Sequence, residues 1–180
     1  MKINEIIGDA KTIGIAGHIR PDGDCVGSCM ALYNYLEKNR EDLDVHVYLE
    51  SVDSKFSIIK NADCIDTNGY DGTVFDLFIS LDTASLDRLG QNLPFFANAK
   101  RTACVDHHKS NSGYADYNYI LPDASSASEV LYDLLEDDMI DKSVAEPLYM
   151  GIAHDSGVFR FQSTSPKTMR IAASMIEHGK

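Results

Sequence analysis

The chain has 180 residues, with apolar residues at 44% and charged residues at 24%, an ordinary balance for one globular domain around one core. Its 16 Lys and Arg stand against 28 Asp and Glu, a formal net charge of -12 at pH 7, which excludes a surface that coats nucleic acid through broad basic contact. A small anionic substrate stays open, because bound divalent cations reverse the field inside a site.

In chain order, Ile3, Ile6, Ile7 and Ala10 recur at helical spacing and predict a short amphipathic helix. Thr12–Ala16 is short, apolar and β-branched, a buried strand that ends in Gly17. A polar segment runs to Asp24, and helical spacing then covers Cys25 to Lys38. Val45–Leu49, Val74–Leu81 and Thr102–Val105 predict further strands, and Tyr117–Ile120 a fifth. Helices are expected over Ser128–Glu136, Lys142–Ala153 and Lys167–His178, the last with Met169, Ala172, Ala173 and Ile176 on one face. Short apolar strands alternating with amphipathic helices define an α/β fold, a mostly parallel sheet flanked by helices on both faces. Ligands of such sheets bind at the carboxyl ends of the strands.

No run approaches the ~20 apolar residues of a membrane span, and Met1 to Thr12 lacks a signal-peptide core. A cytoplasmic protein without membrane partners is expected. Cys25, Cys29, Cys64 and Cys104 form no Cys-x-x-Cys pair, so reduced, mostly buried thiols are expected.

Strand ends deliver ligand-type side chains. His18, Asp22 and Asp24 follow the first strand, Asp82 the third, and Asp106-His107-His108 the fourth; Asp155 follows the helix Leu148–Ala153. Carboxylates mixed with imidazoles suit Mn²⁺, Fe²⁺, Co²⁺ or Zn²⁺, whereas an all-oxygen set favours Mg²⁺ or Ca²⁺. The set is too large for one ion and about right for two, which at ~3.5–4 Å need a bridging carboxylate and can clamp a phosphoryl centre. A water between them loses its proton near neutral pH and attacks as hydroxide. Turn and cap duties are the competing reading for Asp22 and Asp24, since Asp favours both. Such duties leave unexplained why histidines accompany the acids twice. His46 and His178 are expected to be bystanders, and His154 is left out although it adjoins Asp155.

Gly17 to Ser28 (GHIRPDGDCVGS) resembles the first motif of the DHH phosphoesterase superfamily, and Leu81 to Ala84 (LDTA) the second. Val105 to Asn111 (VDHHKSN) resembles the motif that names it, and Gly151 to Phe161 the fourth. The resemblance implies a Rossmann-like catalytic domain and a centre of two Mn²⁺, with Fe²⁺, Co²⁺ or Mg²⁺ as alternatives. His18, Asp22 and Asp82 would hold one ion; Asp24, Asp82, His107 and Asp155 the other, bridged by Asp82. His108 would face the scissile phosphate as hydrogen-bond donor or acid, with Asp106 behind the ligands. Arg160 and Asn111 are candidate substrate contacts, Arg160 also stabilising the transition state, because a guanidinium fork matches phosphate oxygens; Arg20 is expected to serve solubility.

The Pro-Asp-Gly-Asp form looks most like the stand-alone oligoribonucleases (nanoRNases) that double as phosphatases of 3′-phosphoadenosine 5′-phosphate (pAp). Relatives that cleave cyclic di-AMP or its linear product pApA are the alternative. Inorganic pyrophosphatases of the superfamily typically carry Asn where Arg20 stands, and a non-catalytic metal- or nucleotide-binding module is a further reading. The implied partner is a short oligonucleotide or mononucleotide, not long duplex nucleic acid. Family members usually continue into a smaller substrate-gripping domain with a Gly-Gly-Gly-His segment, and the 12 glycines here include no adjacent pair. Residues 1–180 are therefore expected to be the catalytic domain, with the C-terminal substrate-binding domain absent, weak turnover, and an uncovered face that favours a homodimer.

Overall fold

A computed structural model describes residues 1–180. Helix α1 (Ile3–Ile7) ends one turn earlier than its apolar spacing predicts, because Gly8 turns the chain at φ +56°; Ala10 is buried outside the helix. The remaining order is β1 (Thr12–Ala16), α2 (Gly23–Asn39), β2 (Asp44–Tyr48), β3 (Ile65–Asp66), β4 (Leu77–Leu81), α3 (Leu93–Asn98), β5 (Thr102–Asp106), β6 (Tyr117–Ile120), α4 (Ala127–Leu134), α5 (Lys142–Asp155) and α6 (Pro166–His178).

All six strands are parallel, in the order β3-β2-β1-β4-β5-β6. Strand β1 is central, with Ile15 opposite both Val47 and Ile79. A strand buried on both faces reads as a continuous apolar run, which is why its extent was legible. Strand β4 starts at Leu77, not Val74, because the Asp76 carboxylate takes the Lys11 and Thr12 amides at 2.9 and 3.1 Å and interrupts the strand there.

Helices cover both faces, unequally. Side chains of Ile13, Ile15, Leu77, Ile79 and Val105 face the main core with α1, α2, α4, α5 and α6. The other face carries Ala16, Tyr48 and Phe78, covered by the short α3 with Phe95 and Phe96 and by a 3₁₀ segment at Leu86–Asn92. Gly14 opens this thinner layer: a Cβ there would lie 2.3 Å from the Phe78 ring.

Helix α6 corrects one expectation. Its buried stripe is Thr168, Ile171, Ala172 and Met175, while Met169 and Ile176 are exposed. The bond from Thr168 Oγ1 to the buried Glu129 carboxylate, 2.8 Å, and the ion pair of Lys167 with Asp133 set this rotation.

The strand order reverses between β1 and β4, the place where open α/β sheets bind ligands. Gly17, just past β1, has no room for a side chain: a Cβ would meet Cys25 Sγ at 2.2 Å and the Leu81 carbonyl oxygen at 3.3 Å. The loops after β1 and β4 are thereby pressed together.

Candidate metal centre

Asp22 caps α2, its Oδ1 accepting from the amides of Asp24 and Cys25 at 3.0 and 3.1 Å. The capping reading therefore holds for one oxygen, and it starts α2 two residues earlier than periodicity suggests. Its Oδ2 lies 3.8 Å from His18 Nε2. His18 Nδ1 donates to the Ile19 carbonyl at 2.8 Å, which orients the ring and turns Nε2 toward the acids. That Nε2 is 3.4 Å from Asp82 Oδ2.

Asp82 is almost fully buried and adopts φ +52°, a left-handed conformation uncommon outside glycine. Its amide donates to the Val105 carbonyl, and the Thr83 carbonyl behind it receives Tyr114 Oη and Asn111 Nδ2. Its two oxygens divide the site: Oδ2 faces His18, and Oδ1 lies 3.5 Å from His107 Nε2. His107 Nε2 is also 3.2 Å from Asp155 Oδ2 and 3.9 Å from Asp24 Oδ2.

Asp24 is fully buried, and its carboxylate sits on the first turn of α4, accepting from Ala127 N, Ser128 N and Ser128 Oγ at 2.6, 3.0 and 2.6 Å. Glycine makes this possible, since a Cβ on Gly151 would meet Ser128 Oγ at 2.0 Å and Asp24 Oδ1 at 2.7 Å. Burial, with Asp82 and Asp155 nearby, pushes the Asp24 carboxyl up, against His107 and Ser128. Burial opposes charge on His18, but Asp22 and Asp82 outweigh it and hold its pKa at about 11. Burial likewise opposes charge on His107, which Asp155 and Asp82 hold at about 11. Burial alone would raise Asp82; His107 and His18 bring it well below the ordinary carboxylate range.

Asp82 Oδ1 and His107 Nε2 are buried without a hydrogen-bond partner. A buried polar atom left unpaired is costly, so two facing each other mark a place prepared for something else. Two donor atoms each ~2.1 Å from a shared cation lie ~3.0–3.4 Å apart, close to the 3.2–3.5 Å separations around His107 and between His18 and Asp82. The donor set is carboxylate plus imidazole, and it fits a divalent transition metal.

The six expected ligands thus meet at the β1–β4 crevice. His108 joins them at the rim: its Nδ1 is bonded to the buried Asp106 at 2.7 Å, and this bond, against burial, raises its pKa. Asn111 does not serve as expected, because its amide is committed inward: Nδ2 donates to Asp106 at 2.7 Å and Thr83 O at 3.2 Å, while Oδ1 accepts from Gly113 N. It braces Asp106 and has no donor left for a phosphate. Arg160 is exposed, with Nε donating to the Gly157 carbonyl at 2.8 Å. Two residues passed over in the sequence reading lie here. His154 packs over Gly23 and groups with Asp22 and Asp155, and Arg88 Nη2 lies 3.4 Å from His18 Nδ1. A cavity of about 470 Å³ in the β2–β3 connection, around Phe56 and Ile59, contains none of the ligands.

An all-parallel sheet with acids and histidines gathered at its reversal point is an α/β fold whose ligand crevice is lined by groups that could hold a metal ion. The chain belongs to the DHH family: residues 12–152 match the DHH family, N-terminal domain. It is 30% identical over 173 residues to the bifunctional oligoribonuclease and PAP phosphatase NrnA of Bacillus subtilis, a match covering 93% of this chain and 53% of that protein. It is 27% identical over 177 residues to the Thermus thermophilus protein of the same description, covering 93% and 50%. An exopolyphosphatase-related protein from Bacteroides fragilis shares the fold at TM-score 0.85 and 22% identity, over 99% of this chain and 56% of that one. The chain spans about half the length of the curated relatives it matches. None of its helices is long and apolar enough to cross a membrane.

Proposed function

We propose that these 180 residues form the metal-binding catalytic part of a phosphoesterase that hydrolyses short oligoribonucleotides and pAp. Six side chains from four separate stretches converge at one crevice, with Asp82 Oδ1 and His107 Nε2 buried and unpartnered, and that convergence carries the reading. The substrate class is supported by the descriptions of the B. subtilis and T. thermophilus relatives as oligoribonuclease and PAP phosphatase.

His18, Asp22 and Asp82 would hold one divalent cation; Asp24, Asp82, His107 and Asp155 the second, with Asp82 shared between the two. When bound, such a pair supplies Lewis acidity to the phosphoryl oxygens and acidifies the attacking water. Manganese fits the mixed donor set, with Fe²⁺ and Co²⁺ close behind. Asp106 holds His108 by Nδ1 and so leaves Nε2 to donate to the phosphoryl group or to the departing oxygen. The net charge of -12 suits a small substrate drawn to a local positive site, in the cytoplasm, better than a long polymer.

The test is a hydrolysis panel of pAp, pApA, cyclic di-AMP and pyrophosphate in manganese, with and without chelator, for the wild type and Asp82→Asn. Chelator-sensitive turnover of pAp and pApA, lost in Asp82→Asn, is expected, at a low rate for this chain and a higher one for a protein of the relatives' full length. Turnover of pyrophosphate alone would replace the reading with an inorganic pyrophosphatase. Metal binding with no turnover at either length would reduce the chain to a binding module.

A further inference from the structure

Arg88 approaches the centre from a stretch that carries none of the six ligands. Its Nη2 is 3.4 Å from His18 Nδ1, but that nitrogen already donates to the Ile19 carbonyl at 2.8 Å and has no lone pair to offer. The guanidinium therefore gains no hydrogen bond from the contact. Arg40 and Arg101 are each paired with an Asp; Arg88 has no carboxylate within ion-pair distance. It is half-buried, and its N–H donors have no protein oxygen to bond.

The placement is rigid. Ile19 N donates to the Arg88 carbonyl at 2.7 Å, and Arg88 N to Ser85 O at 3.0 Å. Leu89 is fully buried. Gly90 has φ +54° and presses so closely on Ile19 that a Cβ would lie 2.3 Å from its Cγ2. The backbone of Arg88 is thus clamped to the loop that presents His18 and Asp22. A cation whose backbone is held beside an acid-rich centre, without an acidic partner in a chain of net charge -12, is open to an anion that the protein does not provide.

We propose, building on the phosphoesterase reading of this site, that Arg88 is a substrate-binding residue whose planar fork takes non-bridging oxygens of the phosphoryl group on the His18 side. Two parallel N–H bonds to one tetrahedral anion suit a guanidinium, and lysine cannot reproduce them. Arg160, by contrast, spends its Nε on its own loop.

The manganese-loaded chain is titrated with inorganic phosphate by calorimetry, and manganese affinity is measured separately, for the wild type, Arg88→Lys and Arg88→Met. Phosphate affinity should fall about tenfold or more in Arg88→Met, as for loss of a charge-assisted hydrogen bond, and by less in Arg88→Lys, with manganese affinity unchanged. Unchanged phosphate affinity overturns the proposal, as does a wild type that binds no phosphate. Joint loss of manganese and phosphate affinity also overturns it, because Arg88 would then merely prop His18. Phosphate bound through Arg88 without hydrolysis of any nucleotide would sink the phosphoesterase reading and leave this one standing.

Discussion

Replacing Gly151 by alanine introduces one methyl group into the tightest contact of the site. Its Cβ would stand 2.0 Å from Ser128 Oγ and 2.7 Å from Asp24 Oδ1, where carbon contacts need ~3.5 Å. Ser128 and Asp24 are both fully buried, so Ser128 must retreat by about 1.5 Å into packed surroundings. The retreat breaks the 2.6 Å bond from Ser128 Oγ to Asp24, worth ~1.5–3 kcal/mol for a charged acceptor. Overpacking adds ~1–3 kcal/mol, and the better helix propensity of alanine offsets ~1 kcal/mol. The net loss is about 3 kcal/mol, within a range of ~1.5–5. At ~2–4 °C per kcal/mol for a chain of this size, Tm should fall by roughly 6–12 °C. Thermal and urea denaturation in chelator measure it, and a manganese titration should show weaker binding because Asp24 is displaced. Ser128→Ala removes the obstructing hydroxyl, so the double variant should lose less than the sum of the singles by ~1 kcal/mol or more. A Tm drop under ~2 °C, or strict additivity, would refute the view that the Gly151 gap exists to seat Ser128 against Asp24.

Asp106→Asn removes the group that chiefly raises the His108 pKa, so the NMR titration midpoint of that imidazole should fall; an unmoved midpoint contradicts the pairing. His18 and His107, held at about 11 against an ordinary 6.5, carry protons at neutral pH in the metal-free protein, and cation loading must expel about two of them. Apparent metal affinity should therefore rise with pH, and calorimetric heats should depend on buffer ionisation enthalpy; buffer-independent heats would contradict this. The same raised values stabilise the metal-free fold fully below pH 6.5, with the contribution lost as pH climbs through about 11. Val158 is exposed at φ +56°, a conformation costly for a β-branched residue, so Val158→Gly should raise the urea-unfolding free energy by about 1 kcal/mol. A decrease would show that the turn after Asp155 is not strained there.

Much of the sheet was legible because its strands are buried on both faces and their apolar runs are unbroken, Thr12–Ala16 above all. What escaped were elements without a pattern to read. Strand β3 has two residues, too few for any periodicity, and α3 starts with Leu-Pro-Phe-Phe, apolar without an evident stripe. Helix α6 was found but rotated, since hydrogen bonds from Thr168 and the ion pair of Lys167, not apolar spacing, decide which side turns inward. At the centre, residue types at three strand ends and one helix end pointed to eight side chains, and the resemblance to the DHH motifs singled out the six that meet there. Distance in space was invisible in the other direction too. Asn111 looks like a free amide until Asp106 and Thr83 are seen to consume it, and Arg88 looks like a surface arginine until the loop of Ile19 is seen pressed against it.

Position 24 is constrained from two sides, because one carboxylate seats the first turn of α4 while it faces His107 and Asp155. Glutamate would overshoot Ala127 and Ser128 by a methylene, and asparagine would turn a donor toward amides that are themselves donors. A descendant that abandoned catalysis could shed His108 freely yet would retain an acid at this place merely to stay folded. Survival of that aspartate in a sequence is thus a record of architecture, and on its own it says nothing about whether the chemistry is still running.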